Sequence, residues 1–277
     1  MSSGVIISNL FLTNYISENQ LIFIFIIFVI FFGLPHGALD TLLAKKNKLY
    51  NNLSSFILFN LIYVLVALIT FFLWFKASNL ILFLFLLISI FHFSEDWKGL
   101  ISIYQRLVIA SSVISLTVFF KKEEVQSIFF SLTQSYQSNY IIDFFYFFCF
   151  FLLPLLLIII FLNFRNKEIL FSIITIFITA IMLNPLLYFL CYFCFFHSIK
   201  NFKESKKLLF PNNKMLQRKV IFINLFITIT LYVIIYNIFL IGEVEDKLLK
   251  IVFIGLASLT VPHMILKAYV NTNSTRL

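Results

Sequence analysis

Charge is scarce in this chain: only 12% of its 277 residues are Asp, Glu, Lys or Arg, about half the share of a soluble domain. There is too little polar surface here to cover a water-soluble fold. Polar–apolar alternation is lacking too, which excludes the strands of a membrane barrel. Residues 1–20 hold no Lys or Arg, and the first apolar run is long enough to remain as a span, so no cleaved secretory leader is expected. Cysteine is confined to Cys149, Cys191 and Cys194, all within apolar segments, which excludes a thiolate-rich metal site. Cys191 and Cys194 form a C-x-x-C, but inside a lipid-embedded helix they read as small packing residues.

What the chain has instead is apolar bulk: 61% hydrophobic residues, 39 of them Phe, in long runs from end to end. Lipid is the solvent for most of this surface, so the backbone must satisfy its own hydrogen bonds as helices. The expected fold is all-α, a polytopic integral membrane bundle forming a single membrane-embedded domain over residues 1–277. A span needs roughly 17–25 apolar residues. Clear candidates are 21–39, 53–75, 79–93, 104–120, 141–163, 219–241 and 248–266. The run 169–199 is long for one span and short for two, and Asn184-Pro185 interrupts it near the middle. Residues 121–140 read either as an interfacial helix or as an outer loop.

Loop charge decides between eight and nine spans. With nine, and the N-terminus outside, 16 of the 21 basic residues fall on one side. Lys76, Lys121, Lys122, Lys247 and Lys250 fall on the other, the last two beside the acidic Glu243-Val244-Glu245-Asp246. Fusing 169–199 into one span would move the cationic loop 200–219 to the acidic side. Nine spans obey the positive-inside rule and eight break it. The net charge of +9 is therefore a membrane-orientation signal, not a nucleic-acid one. Loop 200–219 reads as a solvated surface facing lipid headgroups.

Histidine is nearly as sparse as cysteine: His36, His92, His197 and His263 are the complete set. Each lies near the end of an apolar run, and the nine-span topology brings all four to one depth, just below the cytoplasmic face. Ionisable groups inside membrane segments are costly and usually face the bundle interior. Independent interfacial histidines would not explain why none falls in a loop or on the opposite face, so a shared metal site is the expectation. Pro35 and Pro262 stand immediately before His36 and His263 and loosen the preceding turn. Gly33 and Gly37 bracket His36 and permit close backbone approach.

Four residues beyond each histidine stands a polar side chain: Asp40, Asp96, Asn201 and Lys267. A metal-bound imidazole usually donates its second N–H to a carboxylate, carbonyl or water. Asp40, Glu95 and Asp96 are candidates to accept it, with Asn201 at the equivalent place. The plainer alternative, that they are the first aqueous residues after a span, stands equally for Asp40 and Asp96. For Lys267 the expectation is a snorkelling side chain.

Four neutral imidazoles suit Fe, Cu, Ni or Zn, and the lack of a carboxylate cage argues against Ca or Mg. Counting removes other classes. Di-iron membrane enzymes need about twice as many histidines in H-x-x-x-H boxes, which are absent here. A two-haem cytochrome arrangement needs histidine pairs at two depths. Ser198 adjoins His197, but neighbours on a helix face apart, which excludes a hydrolase pair.

Four motifs in order carry a resemblance. Gly33-Leu34-Pro35-His36-Gly37-Ala38-Leu39-Asp40, His92-Phe93 followed by Glu95-Asp96, Phe196-His197-Ser198, and Val261-Pro262-His263-Met264 resemble the Brp/Blh family of microbial β-carotene 15,15′-dioxygenases. The resemblance covers residues 33–267. It implies oxygen-dependent cleavage of β-carotene at its central double bond to two molecules of all-trans-retinal. It also implies a non-haem Fe(II) held by His36, His92, His197 and His263, and microbial rhodopsins as consumers of the product. Many relatives continue the third motif as H-S-x-x-H, where this chain has Asn201. Phe91, Phe93, Trp97, Tyr192 and Phe196 are the aromatics expected near the polyene. The competing expectations are a silent carotenoid or retinal binder and a carotenoid cyclase. An opsin is excluded because every Lys lies near a segment end.

Overall fold

A computed structural model describes residues 18–29, 37, 39–209, 222, 226, 229, 230, 233 and 244–274. All regular structure among the described residues is helical, as the composition requires of a chain in lipid. The elements are α1 (Glu18–Phe28), α2 (Asp40–Lys46), α3 (Leu53–Lys76), α4 (Ser78–Ser94), α5 (Ile103–Phe120), α6 (Lys122–Thr133), α7 (Ser138–Leu162), α8 (Lys167–Met182), α9 (Pro185–Leu190), α10 (Ile199–Leu209) and α11 (Val244–Ser274). A 3₁₀ turn, Glu95–Trp97, follows α4, and a π-helical stretch, Cys191–Ser198, joins α9 to α10.

Five stretches are long and apolar enough to cross a membrane: Leu53–Lys76, Ser78–Trp97, Ile103–Phe120, Ser138–Leu162 and Leu249–Val270. The chain is an integral membrane protein. Helix ends are set by local chemistry. Asn52 caps α3, accepting from Ser55 N while the Ser55 hydroxyl accepts from Asn52 N, and Ser102 with Gln105 does the same for α5.

Asn184 interrupts the run 169–199 for a comparable reason. Its side chain accepts from Leu187 N at 2.8 Å, and Pro185 follows at the first helical position, where a missing N–H costs nothing. Two helices thus occupy that run. The second does not stop at residue 199: α10 carries it through the π-helical stretch into the segment expected to be a loop, and residues 199–209 are helical. Residues 121–140 contain helix α6, held to the start of α7 by Lys122–Asp143 at 2.8 Å and by Gln126 donating to Asn139 at 2.9 Å. Most of the expected span 219–241 and most of the last part of 21–39 lie outside the described residues.

The chain forms two compact units, each assembled from distant stretches. The first comprises Met1–Phe25 and Leu82–Phe193. Its centre is α5, packed against α6, α7 and α8. That position is open to α5 because its buried face is built of small residues, Ala110, Ser111, Ser112, Ser115 and Thr117 among them. Ser112 and Thr117 return their hydroxyls to their own helix, at the carbonyls of Ile109 and Val113, so burial strands neither donor.

The second unit comprises Ile26–Ile81 and Cys194–Leu277. Here α3 and α11 pack along one another, and α2 packs against α10 and α11. Leu43 and Ala44 of α2, Tyr50, and Leu266 of α11 form a buried apolar cluster, flanked by Leu49, Phe59 of α3 and Val270. This cluster fixes the three helices against one another, and the candidate site lies one helical turn away from it.

Candidate active site

Phe59, Leu266 and Leu43 share the apolar cluster. One turn further along each helix stand Tyr63 on α3, His263 on α11 and Asp40 at the start of α2. The α-helical repeat puts residues three or four apart on one face, so the packing that joins the first trio also joins the second. The Asp40 carboxylate lies against His263 Nδ1, at 2.9 Å from Oδ1 and 2.7 Å from Oδ2. Tyr63 donates its hydroxyl to Asp40 Oδ2 at 2.8 Å. Asp40 and His263 are both buried, 5% and 2% exposed, so this contact is made away from water. Tyr50 adds a second tie to α2 by donating to the Thr41 carbonyl at 2.8 Å.

His197 is fully buried at the end of the π-helical stretch. Asn201, one turn on, donates its amide to the His197 carbonyl at 3.2 Å and lies 3.4 Å from Nδ1 of the same ring. Lys267 of α11 donates to Asn201 Oδ1 at 3.3 Å. An ammonium can only donate, so it holds the carbonyl end of the Asn201 amide toward itself and the amino end toward His197. Lys267, expected to snorkel, is half-buried and reaches across to the helix that carries His197.

His92 is buried in the last turn of α4, in the other compact unit. Asp96, 1% exposed, accepts the hydroxyl of Tyr192 at 2.8 Å. Tyr192 packs edge-on to Phe93 with ring centroids 5.0 Å apart, and Trp97 stacks on it at 6.5 Å. Glu95 forms ion pairs with Lys98 at 3.2 Å and Arg106 at 3.5 Å. Phe196 is half-buried, and Phe91 is 59% exposed. His36 lies outside the described residues. Among the described residues, no three His, Cys, Asp or Glu side chains converge as an ion-holding group.

The family described as Beta-carotene 15,15′-dioxygenase matches residues 27–270, nearly the whole chain. It belongs to this family. A curated β-carotene 15,15′-dioxygenase from an uncultured marine bacterium, 66A03, is 30% identical over 254 residues, covering 86% of this chain and 90% of that protein. No solved structure matches the chain.

Membership in the carotene dioxygenase family makes the chain an oxidoreductase, and a family of that chemistry implies a cofactor. The buried imidazoles of His197 and His263 are donors of the kind a first-row transition metal takes. In the His263 tautomer that donates Nδ1–H to Asp40, the lone pair sits on Nε2, the form an imidazole ligand takes when a carboxylate orients it. The expectation at Gly37 was close backbone approach. A methyl group there would meet Asp40 Oδ2 and His263 Nδ1 at 4.0 Å, ordinary contact, so the site has room for a small side chain.

Sequence reasoning identified Asp40 and Asp96 but not their partners. Each accepts a tyrosine hydroxyl at 2.8 Å, from Tyr63 and Tyr192 respectively. Sequence alone suggests Tyr192 as a polyene contact and does not distinguish Tyr63. The available signal for Tyr63 is the one tyrosine of α3, at helical spacing from Phe59.

Proposed function

We propose that this chain cleaves the central double bond of β-carotene with O₂ to give two molecules of all-trans-retinal, at a non-haem Fe(II) centre. The single observation that carries the reading is the buried Asp40–His263 pair, in a chain whose family is the β-carotene 15,15′-dioxygenases. Nothing in a purely structural helix end calls for a carboxylate aimed at an imidazole away from water. Orienting a metal ligand does.

In this reading His263 and His197 are ligands, and on sequence grounds His36 and His92 join them. Iron, when bound, supplies the oxygen activation that a closed-shell polyene lacks. The protein's own groups do the rest. Asp40 holds the His263 ring and its tautomer. Asn201, itself held by Lys267, lies against His197. Phe93, Trp97 and Tyr192 form a buried aromatic group suited to gripping a long apolar substrate, with Phe196 one turn beyond Tyr192 and Phe91 one turn before the 3₁₀ turn of Asp96, on the exposed side of α4. Fixing which of many similar double bonds meets the metal is a positioning task, and rigid buried rings perform it better than mobile ones. The chain sits in the plasma membrane with nine spans and the site near the cytoplasmic side, and its retinal serves a microbial rhodopsin.

The test is purified protein assayed for iron content, β-carotene-dependent O₂ uptake and product mass. One iron per chain, O₂ uptake and C20 aldehyde are expected. Bound carotenoid without O₂ uptake would favour a silent binder, and an isomeric C40 product a cyclase; either would overturn the proposal.

A further inference from the structure

We infer that Tyr63 is a positioning residue for the metal centre, acting through Asp40 on His263; this rests on the iron reading above. Asp40 Oδ2 receives two donors at once, Tyr63 Oη at 2.8 Å and His263 Nδ1 at 2.7 Å, while Oδ1 lies 2.9 Å from the same ring nitrogen. A carboxylate held by the imidazole alone can rotate about its Cβ–Cγ bond and still keep one oxygen on Nδ1. A second donor from another helix removes that freedom. The plane of the carboxylate is then fixed, and with it the direction in which the His263 ring presents Nε2.

The three residues come from three helices, α3, α2 and α11, so the hydroxyl also ties the ligand's orientation to the helix packing. A buried hydroxyl in an apolar span has a cost unless it is bonded, and Asp40 is the acceptor it is given. Phenylalanine would satisfy the packing against Phe59, whose ring centroid lies 6.1 Å from that of Tyr63. What tyrosine adds over phenylalanine is this one hydrogen bond.

Tyr50 provides the control, because its hydroxyl also bonds α2 at 2.8 Å, to the Thr41 carbonyl, without touching Asp40. The experiment compares full-length wild type, Tyr63→Phe, Tyr50→Phe and Asp40→Asn in detergent. It reads Fe(II) affinity by chelator competition, the visible spectrum of the Co(II)-loaded protein, and thermal stability. Tyr63→Phe is expected to lower Fe(II) affinity about five-fold, below the 10–100-fold range typical of groups touching a ligand directly. It is also expected to shift the Co(II) bands. Tyr50→Phe should lower stability by a similar amount and leave affinity and spectrum unchanged. In the Asp40→Asn background Tyr63→Phe should have no further effect on affinity.

Wild-type affinity and spectrum in Tyr63→Phe would overturn this inference alone. Equal losses in Tyr63→Phe and Tyr50→Phe would also overturn it, reducing Tyr63 to an anchor for α2. A wild type that binds neither Fe(II) nor Co(II) would overturn the metal reading and the inference together.

Discussion

Asp40 and His263 stand 223 positions apart in sequence and 2.7 Å apart in space. A hydrogen bond to a charged group contributes about 1.5–3 kcal/mol, and breaking it leaves a buried group without its partner. Asp40→Asn keeps the shape and removes the negative acceptor. It should lower Fe(II) affinity about 10–100-fold with the protein still folded, as read by chelator competition. Lys267→Met should lower affinity less than Asp40→Asn does, because Asn201 retains its bond to the His197 carbonyl. A larger effect from Lys267 than from Asp40 would make the Asn201–His197 side of the site the more important one.

The polar residue one turn beyond each histidine was readable from spacing alone, since spacing decides which side chains share a helix face. The partner of each was not. Asp40 belongs to the motif of His36 yet holds His263, and Lys267 reaches Asn201, because partners across helices are set by packing, which no single-helix periodicity encodes.

The helices themselves were largely readable, because a bilayer imposes a length and an apolar run supplies it. The five long spans fall where hydropathy put them. Asn184-Pro185 was also readable as a break, and its chemistry is a cap. Asn184→Ala should cost about 1 kcal/mol and lower the apparent melting temperature by a few degrees, while Asn184→Ser restores most of it. No loss in Asn184→Ala would mean that tertiary packing alone sets that turn.

Two features could not be read. The π-helical turn at Cys191–Ser198 widens the helix beneath His197, and an aromatic-rich run looks the same whether it winds as α or π. Helix α10 continues past the apolar boundary because lysine and glutamate are good helix formers, and a fall in hydropathy marks the membrane surface rather than the helix end.

At the scale of the molecule, loop charge favours nine spans over eight. Nine spans put Lys45, Lys46 and Lys48 on the same side as Lys200, Lys203 and Lys207. Reporter fusions after residues 48 and 207 should both report the cytoplasm, and a fusion after residue 246 the opposite side; opposite signals from 48 and 207 would restore the eight-span count. In the second unit α2 packs against α10, so these two basic segments belong to neighbouring helices.

Retinal formation at the histidine centre is the activity proposed for this membrane protein. Its most direct test is expression in a β-carotene-producing bacterium, with extracted pigment analysed beside the His36→Ala and His263→Ala variants. Retinal from the parent and none from either variant is the predicted result. Intact β-carotene from a well-folded parent, or retinal undiminished in His263→Ala, would contradict it.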